Sequence, residues 1–582
     1  MGHPLVRGEE KSQSRLLNAV LTQGAKRPHD RTAFLPGIIP GLPGNGVFRR
    51  LFRSPWDGFR SYMHGTYRQA RVGHLFLRNT DGMTMRPLLA ITLVIAGMLV
   101  PSGVLAAQSC EGLARLALPN ASITSVQVVT AGAFKPPDSA VGASSDLPAF
   151  CRVATTLKPS SDSGIKTEVW LPIAGWNGKL LAVGNGGWGG PMDYEAMSDG
   201  LRRDYAITAT DDGNPTRGSG EFVYGHPEKL IDFAYRSEHE MTVKAKAIVR
   251  AFYGRDPRYS YWDGCSGGGR EGLLQAYRYP DEFDGIIAGD PADFRRNAWA
   301  LWLANASFKI PADYIPPSKY PMIHQAVLDA CDAIDGLKDG LIDDPTRCHF
   351  DPKVLQCAGE DKPSCLTAPQ VQTARTILSP ATTRSGQEIF PRLEPGTELR
   401  WGRLAGGPEP APLFLDYFKF VVFKNPNWDW RTFDLERDSA LANQAGEDTV
   451  ALNPDLKRFA GHGGKLLLYH GWADQQVAPG ATVEFYNSVS AMNGSPAASS
   501  AWVRLFMAPG MAHCGGGEGP NTFDKISTME QWVEHGKTPD QIIASHSVNS
   551  KIDRTRPLCP YPQTAAYRGS GSTDDAANFV CR

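Results

Sequence analysis

The stretch Tyr259–Pro280, YSYWDGCSGGGREGLLQAYRYP, decides the fold. Its first part, YSYWDG, has the aromatic and apolar density of a buried strand. Its last part, GREGLLQAYRYP, has helical spacing and stops at Pro280. Between them, Gly264-Cys265-Ser266-Gly267-Gly268 matches G-x-S-x-G at a strand-to-helix turn, the setting of a nucleophile elbow. The turn is sharp and leaves no room for Cβ atoms beside the serine, so small neighbours are needed. The helix that follows favours a developing negative charge at its N-terminus. A glycine turn that merely caps a helix is the bland reading of the same residues.

Strands and helices alternate outward from this point. TEVWLPI (Thr167–Ile173), KLLAVGNGG (Lys179–Gly187), YAITATDDG and FDGIIAGDP read as strands. Pro227–Gly254 has helical periodicity and ends at glycine. This alternation predicts a parallel sheet with helices on both faces. The pattern breaks between about Asp293 and Leu452, where prolines, four cysteines and the aromatic run LFLDYFKFVVFKNPNWDWRTFD appear. It resumes with GGKLLLYHGWAD and AWVRLFMAPGMAHC. The expected architecture is an α/β-hydrolase fold with a large inserted lid. Its core spans 108–292 and 453–582, and its lid spans 293–452.

A serine nucleophile needs a base and an orienting acid, and in this fold they follow in the order serine, acid, histidine. Asp474 lies just after one apolar strand and His513 in a loop after the next. Both positions are strand ends at the mouth of the sheet. His513 is late in the chain and flanked by small residues. His470 reads as a structural neighbour, and Asp290 as the rival acid. The backbone N–H of Gly267 is one expected oxyanion donor. The second is expected from GNGGWGG, at Gly187 or its neighbour Gly186, although a plain glycine turn would look the same.

Cysteines flank the two reacting residues: Cys265 precedes Ser266, and Cys514 follows His513. If serine and histidine meet, these cysteines can meet too. A Cys265–Cys514 disulfide would then preorganise the pair without entering the reaction. All ten cysteines lie after Ala107, which suggests an oxidising compartment. No CxxC pair supports a zinc site. MTMRPLLAITLVIAGMLVPSGVLAAQSC begins at Met83 with a positive start, an apolar run and small residues near Ala107, the layout of a secretory signal. The run is short and broken for a bilayer span. We therefore read 83–107 as a signal peptide and 1–82 as an extension ahead of the true start at Met83 or Met85. A secreted or periplasmic protein without stable membrane association is expected.

Apolar residues make up 42% of the 582-residue chain and charged residues 21%, as in an ordinary soluble protein. A net charge of −1 with no basic stripe argues against nucleic acid. CDAIDGLKDGLIDD (Cys331–Asp344) crowds carboxylates among glycines. That suits a hard cation as well as a solvated turn, and its spacing is not that of an EF-hand.

CSGGGREGL, HGWAD, GMAHC and this acidic loop resemble the tannase/feruloyl esterase family, which includes mono(2-hydroxyethyl) terephthalate hydrolase. The resemblance spans roughly Cys110 to Cys581. It implies Ser266, Asp474 and His513 as a triad with Cys265–Cys514 joined. It further implies disulfides Cys110–Cys151, Cys331–Cys348, Cys357–Cys365 and Cys559–Cys581. It implies a structural Ca2+ in the lid, held by side chains of Asp332, Asp335 and Asp339 and carbonyls of Leu337 and Leu341. The expected activity is hydrolysis of small aromatic acid esters, with gallate, ferulate and terephthalate half-esters unresolved. Lid aromatics such as Trp401, Phe414, Tyr417 and Phe418 could hold a planar acyl group, although most would be lid core. Peptidase, lipase and a non-catalytic phenolic- or carbohydrate-binding protein are the rival functions.

Overall fold

The computed structural model describes residues 107–582, apart from 138–145, 217, 406, 408, 448–449, 451 and 494. The expectations for 1–82 and, except for Ala107, for 83–107 lie outside the described residues. Nine strands form one sheet: β1 (Ala121–Val129), β2 (Phe150–Leu157), β3 (Ile165–Pro172), β4 (Lys179–Val183), β5 (Ala206–Thr210), β6 (Tyr259–Cys265), β7 (Gly285–Gly289), β8 (Lys465–Gly471) and β9 (Val503–Ala508). Their spatial order is β1-β2-β3-β5-β4-β6-β7-β8-β9. The first three strands run antiparallel to their neighbours. From β5 to β9 every pairing is parallel. The parallel strands are nearly all buried, as expected when helices cover both faces.

The longer helices are α1 (Tyr194–Arg202), α2 (Ser237–Tyr253), α3 (Gly267–Arg278), α4 (Arg295–Phe308), α5 (Tyr320–Cys331), α6 (Ala368–Ile377), α7 (Leu435–Gly446), α8 (Pro479–Met492) and α9 (Lys525–His535). The helix expected over Pro227–Gly254 is interrupted. A wider turn at Asp232–Arg236 separates the short helix Pro227–Ile231 from α2. Arg236 bridges Asp232 and Glu228 across this turn, and Gly254 ends α2 in the left-handed conformation at φ 72°.

Helices α4 to α7 all fall between β7 and β8, in the segment read as the lid. They share one apolar cluster with Trp188, Phe222 and Phe233 of the core side. Lid and core-side loops therefore pack through a continuous apolar contact. Among the described residues, no helix is long and apolar enough to cross a membrane. Five disulfides are present, with all five expected pairings: Cys110–Cys151, Cys265–Cys514, Cys331–Cys348, Cys357–Cys365 and Cys559–Cys581.

Candidate active site

β6 delivers the chain to the turn and α3 carries it away, so Ser266 stands at the point where the strand becomes a helix. Its backbone has φ 59° and ψ −115°, a region that residues with a Cβ rarely adopt. Three hydrogen bonds over-determine it. Ser266 N–H donates to Gly289 O (2.9 Å), and Ser266 O accepts from Arg270 N–H (3.1 Å) and Ala292 N–H (2.9 Å). The glycines are there for space. A Cβ on Gly264 would lie 2.5 Å from Gly268 O, and one on Gly268 would lie 3.0 Å from Gly184 Cα.

The ends of β8 and β9 bring in the other two predicted residues. Asp474 follows β8, and its Oδ2 lies 2.7 Å from His513 Nδ1, in the loop after β9. Gln476 and Val477 donate their N–H groups to Asp474 Oδ1 at 2.6 and 3.0 Å. Burial opposes charge on Asp474, but His513 and His470 outweigh it and hold the carboxyl well below the usual carboxylate range. The rival acid, Asp290, does not bond His513. It accepts N–H bonds from Gly471 (3.0 Å) and Cys514 (2.5 Å) and so braces the histidine loop. The Cys265–Cys514 bridge, with Cα atoms 5.9 Å apart, ties that loop to the elbow.

Ser266, His513, Gly186, Gly187 and both bridge cysteines line one cleft of about 540 Å³. Gly267 opens α3, so its N–H has no intrahelical acceptor. A Cβ on Gly267 would come within 3.4 Å of Gly187 N. Gly187 has φ 59°, and its N–H finds no acceptor among the described residues. The two expected donor residues therefore lie next to each other beside Ser266, and neither N–H has a partner among the described residues.

The loop that carries Gly187 rests on buried carboxyls. Asn185 N–H donates to Glu271 Oε2 (3.0 Å), and a Cβ on Gly189 would meet Asp212 Oδ2 at 2.5 Å. Asp212, Glu238 and Glu271 bring carboxylate oxygens within 4.8 Å of one another, all buried. Burial first, then the Glu271 carboxylate, pushes Glu238 up to about 8. Sequence reading missed this cluster, because its members come from three elements with no shared spacing.

Trp401 and Phe418 do not line the cleft. Trp401 is buried in the lid, donating Nε1–H to Thr397 Oγ1 (3.0 Å). Phe418 is buried against Trp428 and Phe433. The lid residue in the cleft is Leu413, whose Cδ1 stands 3.4 Å from where a Cβ on Gly187 would be. Trp188 anchors that segment by donating Nε1–H to Leu413 O (3.0 Å). Lys525, paired with Asp263 at 2.8 Å, and Gln476 also line the cleft, and none of the three carried a motif. A larger cavity of about 570 Å³, lined by Phe294, Tyr417 and Glu484, contains neither Ser266 nor His513.

In the acidic loop, Asp332 accepts N–H bonds from Asp339 (3.3 Å) and Gly340 (3.0 Å), and Asp335 accepts from Leu337 N–H (2.9 Å). Burial, then Asp339 and Asp332, pushes the Asp335 carboxyl up. Asp343 Oδ1 is buried without a hydrogen-bond partner. Arg556 reaches Asp339 Oδ2 at 2.5 Å.

The sequence profile of the tannase and feruloyl esterase family matches residues 151–582. An uncharacterized esterase of Xanthomonas campestris pv. campestris is 38% identical over 549 residues, covering 85% of this chain and 95% of the relative. The crystal structure of feruloyl esterase B from Aspergillus oryzae superposes with a TM-score of 0.77 at 32% identity, over 81% of this chain and 99% of that one. Tannin acyl hydrolase from Aspergillus niger shares the fold, with a TM-score of 0.68 at 24% identity over 82% and 94% of the two chains. The chain belongs to the tannase and feruloyl esterase family and is a carboxylic ester hydrolase with an α/β-hydrolase fold.

Proposed function

We propose that this chain is an exported serine esterase that cleaves esters of aromatic carboxylic acids through an acyl-enzyme. The observation that carries this reading is the Asp474–His513 contact of 2.7 Å beside a strained Ser266 in one cleft. Ser266 Oγ attacks the ester carbonyl while His513 takes its proton. Asp474 holds the imidazole by Nδ1, which leaves Nε2 for the serine, and stabilises the imidazolium that forms. The tetrahedral oxyanion sits on the N–H groups of Gly267 and Gly187. His513 then protonates the leaving alcohol, and the same histidine activates the water that frees the acid.

Aromatic acyl groups suit a cleft with the apolar Leu413 in its lining, and relatives named feruloyl esterase and tannin acyl hydrolase support the class. Export is supported by five disulfides after a signal-like segment. The acidic loop fits a calcium ion. Its donors are hard oxygens, its carboxylates repel one another, and the neighbouring Asp343 Oδ1 is buried without a hydrogen bond, 3.6 Å from Arg556 Nη1. Asp332, Asp335 and Asp339, with the carbonyls of Leu337 and Leu341, would hold the ion, which would brace the lid and take no part in the chemistry.

The deciding experiment is hydrolysis of methyl gallate, methyl ferulate, mono(2-hydroxyethyl) terephthalate and a short aliphatic p-nitrophenyl ester by the mature chain. Serine-dependent cleavage of an aromatic ester is expected. Cleavage of the aliphatic ester alone would remove the aromatic assignment.

A further inference from the structure

His470 lies in β8 behind the Asp474–His513 pair and is fully buried. Its Nε2 is 3.0 Å from Asp474 Oδ2, 3.1 Å from Val477 O and 3.6 Å from Asp290 Oδ1. A ring nitrogen facing three oxygen acceptors carries a hydrogen. The other nitrogen, Nδ1, is 2.7 Å from Thr482 Oγ1 on α8, which can give or take a hydrogen bond.

The aspartates fix the proton count. Asp474 Oδ1 accepts from Gln476 and Val477, and Oδ2 accepts from both histidines. Asp290 Oδ1 accepts from Gly471, and Oδ2 accepts from Cys514. Every carboxylate oxygen is already an acceptor. The one further contact of Asp290 Oδ2 is the disulfide sulfur of Cys265 at 3.3 Å, a poor acceptor for a carboxyl hydrogen. Burial, opposed by His470, holds the Asp290 carboxyl above its ordinary value, but neither aspartate has an acceptor for a carboxyl hydrogen, and on that geometry both are ionised. Two buried carboxylates around one imidazole are strongly unfavourable unless a cation stands between them. Arg296, in the first turn of α4, acts on Asp474. His513 must be neutral to serve as a base.

We propose that His470 is a standing imidazolium and a positioning residue for the His513 base. It donates Nδ1–H to Thr482 and Nε2–H to Asp474, and so limits how strongly Asp474 draws positive charge onto His513. Burial opposes the charge on His470, but Asp290 and then Asp474 outweigh it and raise its proton affinity above that of an ordinary imidazole. The inference rests on the reading of Asp474 and His513 as acid and base.

The test is the pH profile of kcat/KM for wild type and His470→Gln, with Ser266→Ala as control. Glutamine keeps a donor and cannot be charged. The acid limb should move up by roughly one pH unit in His470→Gln, because Asp474 is no longer partly neutralised. A merely structural histidine would lower the rate without moving the limb. As a measurement that does not depend on the folding of that variant, histidine-labelled Ser266→Ala protein should show an imidazole with hydrogens on both nitrogens at pH 8. Thr482→Val should perturb that signal. An unmoved limb, or a spectrum in which the Thr482-sensitive ring carries one hydrogen, overturns the inference. An active Ser266→Ala overturns the proposed function instead.

Discussion

Ser266 is held at φ 59° by its neighbours, against a cost of roughly 1–3 kcal/mol for a residue with a Cβ. Ser266→Ala keeps that backbone, so turnover should fall roughly 10⁴-fold or more with a nearly unchanged melting temperature. Steady-state kinetics beside a thermal melt check both halves. Gly264→Ala is the opposite case. Its new Cβ would press against Gly268 backbone at 2.5 Å, which no rotamer relieves. The variant should melt several degrees lower or fail to fold. At this scale the sequence was most legible where chemistry demands fixed partners. A serine in a glycine turn, an acid and a histidine at strand ends can each be read because few other residues can do those tasks. Trp401 and Phe418 were not separable from a cleft lining, because a lid needs aromatics for its own core. Leu413 gave no signal, since one leucine in an apolar run looks like any other.

Among elements, the Cys265–Cys514 bridge joins the ends of β6 and the β9 loop across 249 residues, whereas Cys357–Cys365 spans 8. By loop closure, losing the first should cost roughly 5 kcal/mol and losing the second roughly 2.5 kcal/mol. Cys265→Ser with Cys514→Ser should therefore unfold earlier in denaturant and lose activity. The Cys357→Ser, Cys365→Ser pair should keep its activity. The carboxyl cluster under the oxyanion loop gives a pH prediction. Glu238 is raised to about 8 in the fold, so the folded chain holds a proton that the unfolded chain has released. Its contribution is present below the unfolded glutamate range and is lost as pH rises through about 8. Glu238→Gln should match wild type in melting temperature at pH 5 and exceed it at pH 9. Strands β3 to β9 were legible from apolar runs and their glycine punctuation. The break at Asp232–Arg236 was not, because apolar spacing passes through one widened turn almost unchanged.

For the whole molecule, the insertion could be found in the sequence from its composition, since prolines, cysteines and clustered aromatics replace the strand–helix rhythm. Which face it turns to the sheet could not, because that depends on packing between segments far apart in the chain, such as Trp188 with Leu413. If calcium braces the lid, chelation should lower the melting temperature and added calcium should restore it, by about 2.7 kcal/mol at a hundredfold excess over Kd. Asp335→Asn should blunt that response. The Cys265–Cys514 bridge has one more consequence. The entire segment between β7 and β8 lies inside the ring it closes. A protease that cuts once anywhere in the lid opens a strand of that ring without releasing a fragment. The serine-bearing and histidine-bearing pieces stay covalently one molecule, visible as two only on a reducing gel. Damage to the lid then need not mean loss of the machine beneath it.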